Sequence, residues 1–160
     1  MARRAPQSLE GLNPRRQGST LRDMAERFQV FLSYDHSDGK WARKLSEYLE
    51  AAGFRVFDRQ NQLFPGDNWP REIGKALDSS NAMVVLISPE SVRSPSVQRE
   101  IDYALVSVRY ENRLIPVEVE PTTGFPWILG HMPWVKGNPE EAGAGVAELL
   151  EAAGVHANAD

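Results

Sequence analysis

The chain has 160 residues, 41% hydrophobic and 25% charged, with no cysteine and a formal net charge of −4. That length fits one domain, and the lack of cysteine excludes disulfides, thiol catalysis and thiolate-held metal. No apolar run approaches the 18 or so residues of a membrane-spanning helix, and the three histidines, at 36, 131 and 156, lack the HxH or HExxH spacing of a zinc site.

Residues 1–26 mix Arg, Pro, Gly, Gln and Ser without hydrophobic period and read as a basic, mostly disordered leader. Residues 1–27 hold six arginines against three acids, or +3; the rest hold 12 basic and 19 acidic side chains, or −7. So acidic a body is a poor nucleic-acid binder, because that affinity rests on cation–phosphate contacts. The leader has no apolar stretch of the kind that marks a secretory signal.

From Phe28 strand-like and helix-like segments alternate. Phe28 to Ser33 reads as a first strand, and Trp41, Leu45, Tyr48, Leu49 and Ala52 share one face of a helix closed by Gly53. Phe54 to Phe57 is a second strand, followed by a loop from Asp58 to Asn68 and a helix opening at Pro70 with Ile73, Ala76 and Leu77 inward. Ala82 to Ile87 is apolar on both faces, as expected of a central parallel strand covered by helices. Ser94 and Pro95 open a third helix, with Val97, Ile101, Ala104, Leu105 and Val108 as its core face. Arg113 to Val117 is a fourth strand placed near an edge by Pro116. Trp134 and Val135 suggest a short fifth strand, and Val146, Leu149 and Leu150 a terminal helix.

This order predicts a flavodoxin-like, three-layer α/β fold with a five-stranded parallel sheet of order 2-1-3-4-5. Its domain spans residues 27–154, with 155–160 as a flexible tail. Ligands in such folds bind beyond the carboxyl ends of the strands, which are Ser33 to Gly39, Asp58 to Trp69 and Ser88 to Ser96. A GxxxxGKS/T phosphate loop, a GxGxxG turn and a GxSxG elbow are all absent. The third strand ends in Ser88 and Pro89, not in a phosphoacceptor carboxylate. What remains is Glu100, on the margin of the apolar arc of the third helix, with Ser96 one turn before it. Geometry alone leaves this acid open between a catalytic group and a carboxylate that merely favours a helix N-terminus.

Several motifs stand in order: VFLSY at Val30 to Tyr34 with Asp35 to Asp38, GFRVFD at Gly53 to Asp58, and PGD at Pro65 to Asp67 with Trp69 and Ile73. VVLISP at Val84 to Pro89, Ser94 through Ile101, and LIPV at Leu114 to Val117 complete the series. Over Phe28 to about Leu150 the chain resembles a Toll/interleukin-1 receptor (TIR) domain, most like the bacterial kind. The resemblance implies either an NAD+ glycohydrolase or cyclase, acting in bacterial antiphage or cell-death signalling, or a non-catalytic scaffold or host-directed effector working through TIR–TIR contacts. It places the catalytic glutamate at Glu100. It puts Ser33, Tyr34 and Asp35 along the pocket, Trp69 against the nicotinamide, and Ser96 where the enzymes often carry an aromatic ring. NAD+ is then substrate and no cofactor or metal is implied.

The resemblance further implies a cytoplasmic protein that self-associates through the 58–68 loop, with Leu63 and Phe64 as apolar contacts. Such a head-to-tail contact can build filaments. A chain of 160 residues has no appended sensor, so the trigger is expected from a separate protein or a signal nucleotide. The enzymatic expectation has a structural condition: Glu100 must face a cleft beside Tyr34 and Trp69. A carboxylate already held in an internal ion pair would leave a docking surface instead.

Overall fold

The structure is a computed structural model that describes residues 28–157; the predicted leader, residue 27 and residues 158–160 lie outside the described residues. Four parallel strands, β1 (Gln29–Ser33), β2 (Arg55–Phe57), β3 (Ala82–Ile87) and β4 (Leu114–Glu118), form a sheet of order β2-β1-β3-β4. Each strand exposes alternate residues to opposite faces. Val30, Leu32, Val84, Leu86, Ile115 and Val117 pack under helices α1 (Gly39–Ala51) and α5 (Pro139–Ala152). Phe31, Met83, Val85 and Ile87 pack under helices α3 (Trp69–Ser79) and α4 (Pro95–Val106). β3 is buried along its whole length, as its unbroken apolar run requires.

The fifth strand is not formed. Val135 makes one parallel bridge to Val117, through Glu118 N–H to the Val135 carbonyl at 2.9 Å and Val135 N–H to the Pro116 carbonyl at 3.0 Å. The segment is too short to go further: Pro133 has no N–H to give, and Gly137, at φ 114°, turns the chain into α5. Pro116 does lie on an edge strand, and that single bridge shields it.

Two further elements depart from the periodicity. The loop after β2 contains a helical turn, α2 (Arg59–Gln62), capped by the Asp58 side chain, which accepts from Gln60 N–H at 3.1 Å. At the other end, α4 stops at Val106, and Val108 is 85% exposed and no part of the core. A tight turn over Val108–Tyr110 brings in Tyr110 instead, whose hydroxyl donates to the Leu77 carbonyl at 2.6 Å. A buried ring with a satisfied hydroxyl contributes more than a valine there. Beyond α5 the chain stays packed as far as Val155, which is fully buried and donates its N–H to the Leu150 carbonyl at 2.8 Å.

Helices α1 and α5 touch through a glycine. A Cβ on Gly143 would sit 2.5 Å from Cδ1 and 2.7 Å from Cγ of Tyr48, the root of a ring that cannot swing aside cheaply. Gly143→Ala is expected to destabilise the domain by about 1–2 kcal/mol through overpacking, despite the better helix propensity of alanine. Gly74 in α3 faces open space, so Gly74→Ala is expected to stabilise by up to about 1 kcal/mol. Urea unfolding of the two variants checks the contrast.

Candidate active site

Strand parity aims the first site residue. Ser33 shares a face with Phe31, so its side chain points toward the α4 layer at the last register pair of β1, opposite Val85. The start of α4 is fixed by Ser94, whose hydroxyl accepts Val97 N–H at 3.3 Å, with Pro95 in the first turn. Val97, Ile101 and Ala104 then fall inward at i, i+4 and i+7. Glu100 stands on the margin of that stripe and is 4% exposed. Ser33 Oγ donates to Glu100 Oε1 at 2.6 Å.

A carboxylate so deeply placed is costly unless a cation faces it. Arg59 supplies the cation. It opens the α2 turn at the carboxyl end of β2, and its Nη2 donates to Glu100 Oε1 at 2.7 Å and Oε2 at 2.6 Å. Both side chains are largely buried, with 13% of Arg59 and 5% of Glu100 exposed. The Tyr34 ring lies 6.0 Å from the guanidinium carbon, a cation–π distance. Tyr34 in turn donates its hydroxyl to Asp58 Oδ1. Burial, reinforced by the Asp58 carboxylate, pushes the Tyr34 phenol far above its ordinary range. Asp58 N–H is held by Gln62 Oε1 at 2.6 Å, and Gln62 Nε2 donates to the Val56 carbonyl at 2.8 Å, so the turn that carries Arg59 is braced from below.

The structure thus brings together Ser33, Tyr34 and Glu100, and it corrects the expectation of an open carboxylate. Glu100 is held in an internal ion pair. A cleft of about 570 Å³ lies at the C-terminal end of α4, and another of about 270 Å³ lies between α4 and residues 124–126. Glu100 lines neither. Ser96 is half-buried one turn before Glu100. Asp35 spends its carboxylate on Ser37, from Oγ at 2.6 Å and N–H at 3.0 Å, and these bonds, the hydroxyl first, hold its pKa below the usual aspartate value. Trp69 is 37% exposed, and its indole N–H donates to the Phe64 carbonyl at 3.2 Å, which ties the ring to the loop backbone. Leu63 is buried in its own core, not offered to a partner; Phe64, 64% exposed, is the apolar tip.

Arg59 and Asp58 were missed by sequence reasoning as site residues. The one available signal was a basic residue directly after a strand-terminal aspartate, at an edge where ligands bind. The α2 turn that aims Arg59 has no periodicity to read.

A three-layer α/β domain with a buried acid at the carboxyl edge of a parallel sheet is the class that fold and site define. The family model described as the TIR domain matches residues 30–150, and the chain belongs to the TIR domain family. A protein called NAD(+) hydrolase TcpA, from a Theionarchaea archaeon, is 30% identical over 98 residues, covering 61% of this chain and 30% of that protein. Human Toll-like receptor 6 is 27% identical over 97 residues, 59% of this chain and 12% of the receptor. The chain spans about a tenth to a third of the length of these relatives. Among solved structures, the TIR domain of the Toll-related receptor TRR-2 of Hydra magnipapillata superposes with a TM-score of 0.58 at 25% identity, covering 67% of this chain and 82% of that one. A TIR-STING receptor of C. gigas, in complex with 2′,3′-cGAMP, shares the fold with a TM-score of 0.63 at 21% identity, over 77% of this chain and 38% of that one.

Removing Glu100 alone strands a buried guanidinium, whereas removing both partners does not. Glu100→Ala is expected to cost about 3 kcal/mol. The Arg59→Met/Glu100→Leu double variant should lose less than the sum of its single changes, with a coupling above about 1 kcal/mol in denaturant unfolding.

Asp38 offers a pH test. It sits at the N-terminus of α1, yet its carboxylate accepts from Ser88 Oγ at 2.6 Å and makes no capping bond. Burial raises its pKa above the usual value; the Ser88 bond opposes this and the nearby Glu90, Asp35 and Glu120 add to it. A raised folded-state value means that ionisation costs the folded protein more than the unfolded one, so stability falls as pH climbs above about 3.9. Asp38→Asn is therefore expected to melt higher than wild type at pH 7, with the difference fading below pH ~4.

Proposed function

We propose that this TIR domain cleaves the nicotinamide–ribose bond of NAD+, with Glu100 as the catalytic carboxylate, and that the monomer is latent because Arg59 occupies that carboxylate. The observation that carries the reading is Glu100 itself: an acid 4% exposed, aimed by Ser33, at the sheet edge where this fold class takes ligands, with its charge countered by a side chain on a loop. The archaeal relative named as an NAD(+) hydrolase supports it.

The chemistry follows charge. As the C1′–N bond breaks, its electron pair leaves with neutral nicotinamide and positive charge develops on the ribose. A carboxylate against the sugar stabilises that charge. Water then adds at C1′ and gives up a proton, yielding ADP-ribose; attack from within the same molecule closes a cyclic product instead. Trp69, the pocket loop Ser33 to Asp35 and Ser96 border the space where the substrate enters in this reading. Assembly through residues 58–68, with Phe64 as the exposed tip, is the step that loosens the α2 turn enough for Arg59 to give up Glu100 when substrate enters. Antiphage or cell-death signalling in the cytoplasm, set off by a separate protein or signal nucleotide, is the setting proposed for it.

A second reading has an observation of its own. Glu100 is held in an internal ion pair, the arrangement expected to leave a docking surface, and Ser96 offers no stacking ring, as befits a domain that acts only by TIR–TIR contact. Nicotinamide release decides between them. Wild type is expected to release little when dilute and more than proportionally when concentrated or crowded, and Glu100→Gln, checked to melt as a folded protein, to lose about 100-fold or more. No release at any concentration would establish the scaffold; equal release by Glu100→Gln would remove Glu100 from catalysis.

A further inference from the structure

Arg59 binds Glu100 in an incomplete way. A guanidinium that meets a carboxylate best uses two nitrogens, one for each oxygen. Here a single nitrogen, Nη2, serves both oxygens, at 2.7 and 2.6 Å. Arg59 Nε is buried and has no hydrogen-bond partner among the described residues. A buried donor without an acceptor is a standing cost, and native proteins rarely keep one without use. The guanidinium therefore holds the carboxylate with half of a fork whose other half is idle.

The surroundings say which ligand would complete that fork. The carboxyl edge of the sheet carries Asp35, Asp38, Asp58 and Glu100. An anionic ligand approaching these four acids is repelled unless a cation is turned toward it. His36 and Arg93 lie near Asp35, but Arg59 is the cation seated against Glu100, backed by the Tyr34 ring at 6.0 Å. A phosphate has the oxygens to accept Nε–H and Nη2–H together, which a guanidinium matches in its plane.

We infer that Arg59 is the residue that takes the diphosphate of the substrate, and that binding it exchanges one anion for another. The inference rests on the NAD+ reading of the site. In the empty site Arg59 neutralises Glu100; when a diphosphate arrives, Nε and Nη2 pass to phosphate oxygens and Glu100 is released. Arg59 keeps an anionic partner in both states, and Glu100 exchanges the guanidinium for the positive charge of the bound nicotinamide riboside moiety. The released carboxylate then faces the ribose, where positive charge develops. Seating the substrate and uncovering the acid become one event, and a phosphate-free nicotinamide riboside, unable to draw Arg59 away, is a poor substrate.

ADP-ribose, which has the diphosphate but no bond to cleave, separates this inference from the catalytic reading. Titrated by calorimetry into the full chain, it is expected to bind wild type, to bind Arg59→Gln about tenfold or more weakly, and to bind Glu100→Gln more tightly than wild type, because the charge competing for the guanidinium is gone. Arg59→Lys, which keeps the charge but not the fork, should fall between wild type and Arg59→Gln and serves if Arg59→Gln melts too low to assay. Inorganic pyrophosphate should compete with ADP-ribose on wild type and not on Arg59→Gln. Failure of wild type to bind ADP-ribose, or equal binding by wild type and the folded Arg59 variants, would overturn the inference. Nicotinamide release that depends on Glu100, alongside such Arg59-independent binding, sinks the inference alone. Arg59-dependent binding without any release sinks the catalytic reading and leaves the diphosphate site standing.

Discussion

The ion pair between Arg59 and Glu100 organises the functional end of this domain. A carboxylate almost wholly withdrawn from water must be met by a cation or lose its charge, and the cation comes from the short turn that follows β2. One contact therefore joins β1, through Ser33, to α4 and to the loop after β2. It fixes how that loop lies against the sheet and holds the buried Glu100 carboxylate closed. The buried guanidinium keeps an unpaired N–H, so the closed arrangement is not the most favourable pairing the two side chains could make.

The fold delivers the pair through strand parity and helix phase. Ser33 is two residues after Phe31 and so lies on the α3/α4 face, while Tyr34 joins the cluster beneath α1. Glu100 is carried in by the same turn of α4 that buries Val97 and Ile101. Asp58 caps α2 and accepts from Tyr34, and thereby holds Arg59 over the tyrosine ring. Under the enzymatic proposal such a device withholds activity, since the acid is shielded by a side chain on a loop, the class of segment that moves most readily. The same pair is also what a purely docking domain would display, so the difference between the two readings lies in whether Arg59 leaves.

Individual elements explain how much was legible. β3 could be placed at the centre from six apolar residues in a row, and β4 at the edge from Pro116, because both signals come from local sequence and from hydrogen bonds that proline cannot make. Glu100 was legible for a similar reason, since a helix advancing by a fixed angle puts residue 100 beside 97, 101 and 104. The fifth strand was over-read: two apolar residues carry strand propensity, but Pro133 and Gly137 leave room for only one bridge. Val108 was assigned to the core because the helical period was carried past Val106, where the chain turns so that Tyr110 can enter. Leu63 was placed on a loop tip although the α2 turn buries it.

Hydrophobic period, capping residues and proline placement determined the layers, the strand order as far as β4, the family motifs and the candidate acid, because each acts over a few residues along the chain. Only the tertiary structure decided what Glu100 touches. Arg59 is 41 residues away from it in sequence and Ser33 is 67 away. Their meeting depends on a non-periodic loop and on the desolvation of a charge, and no local pattern records either.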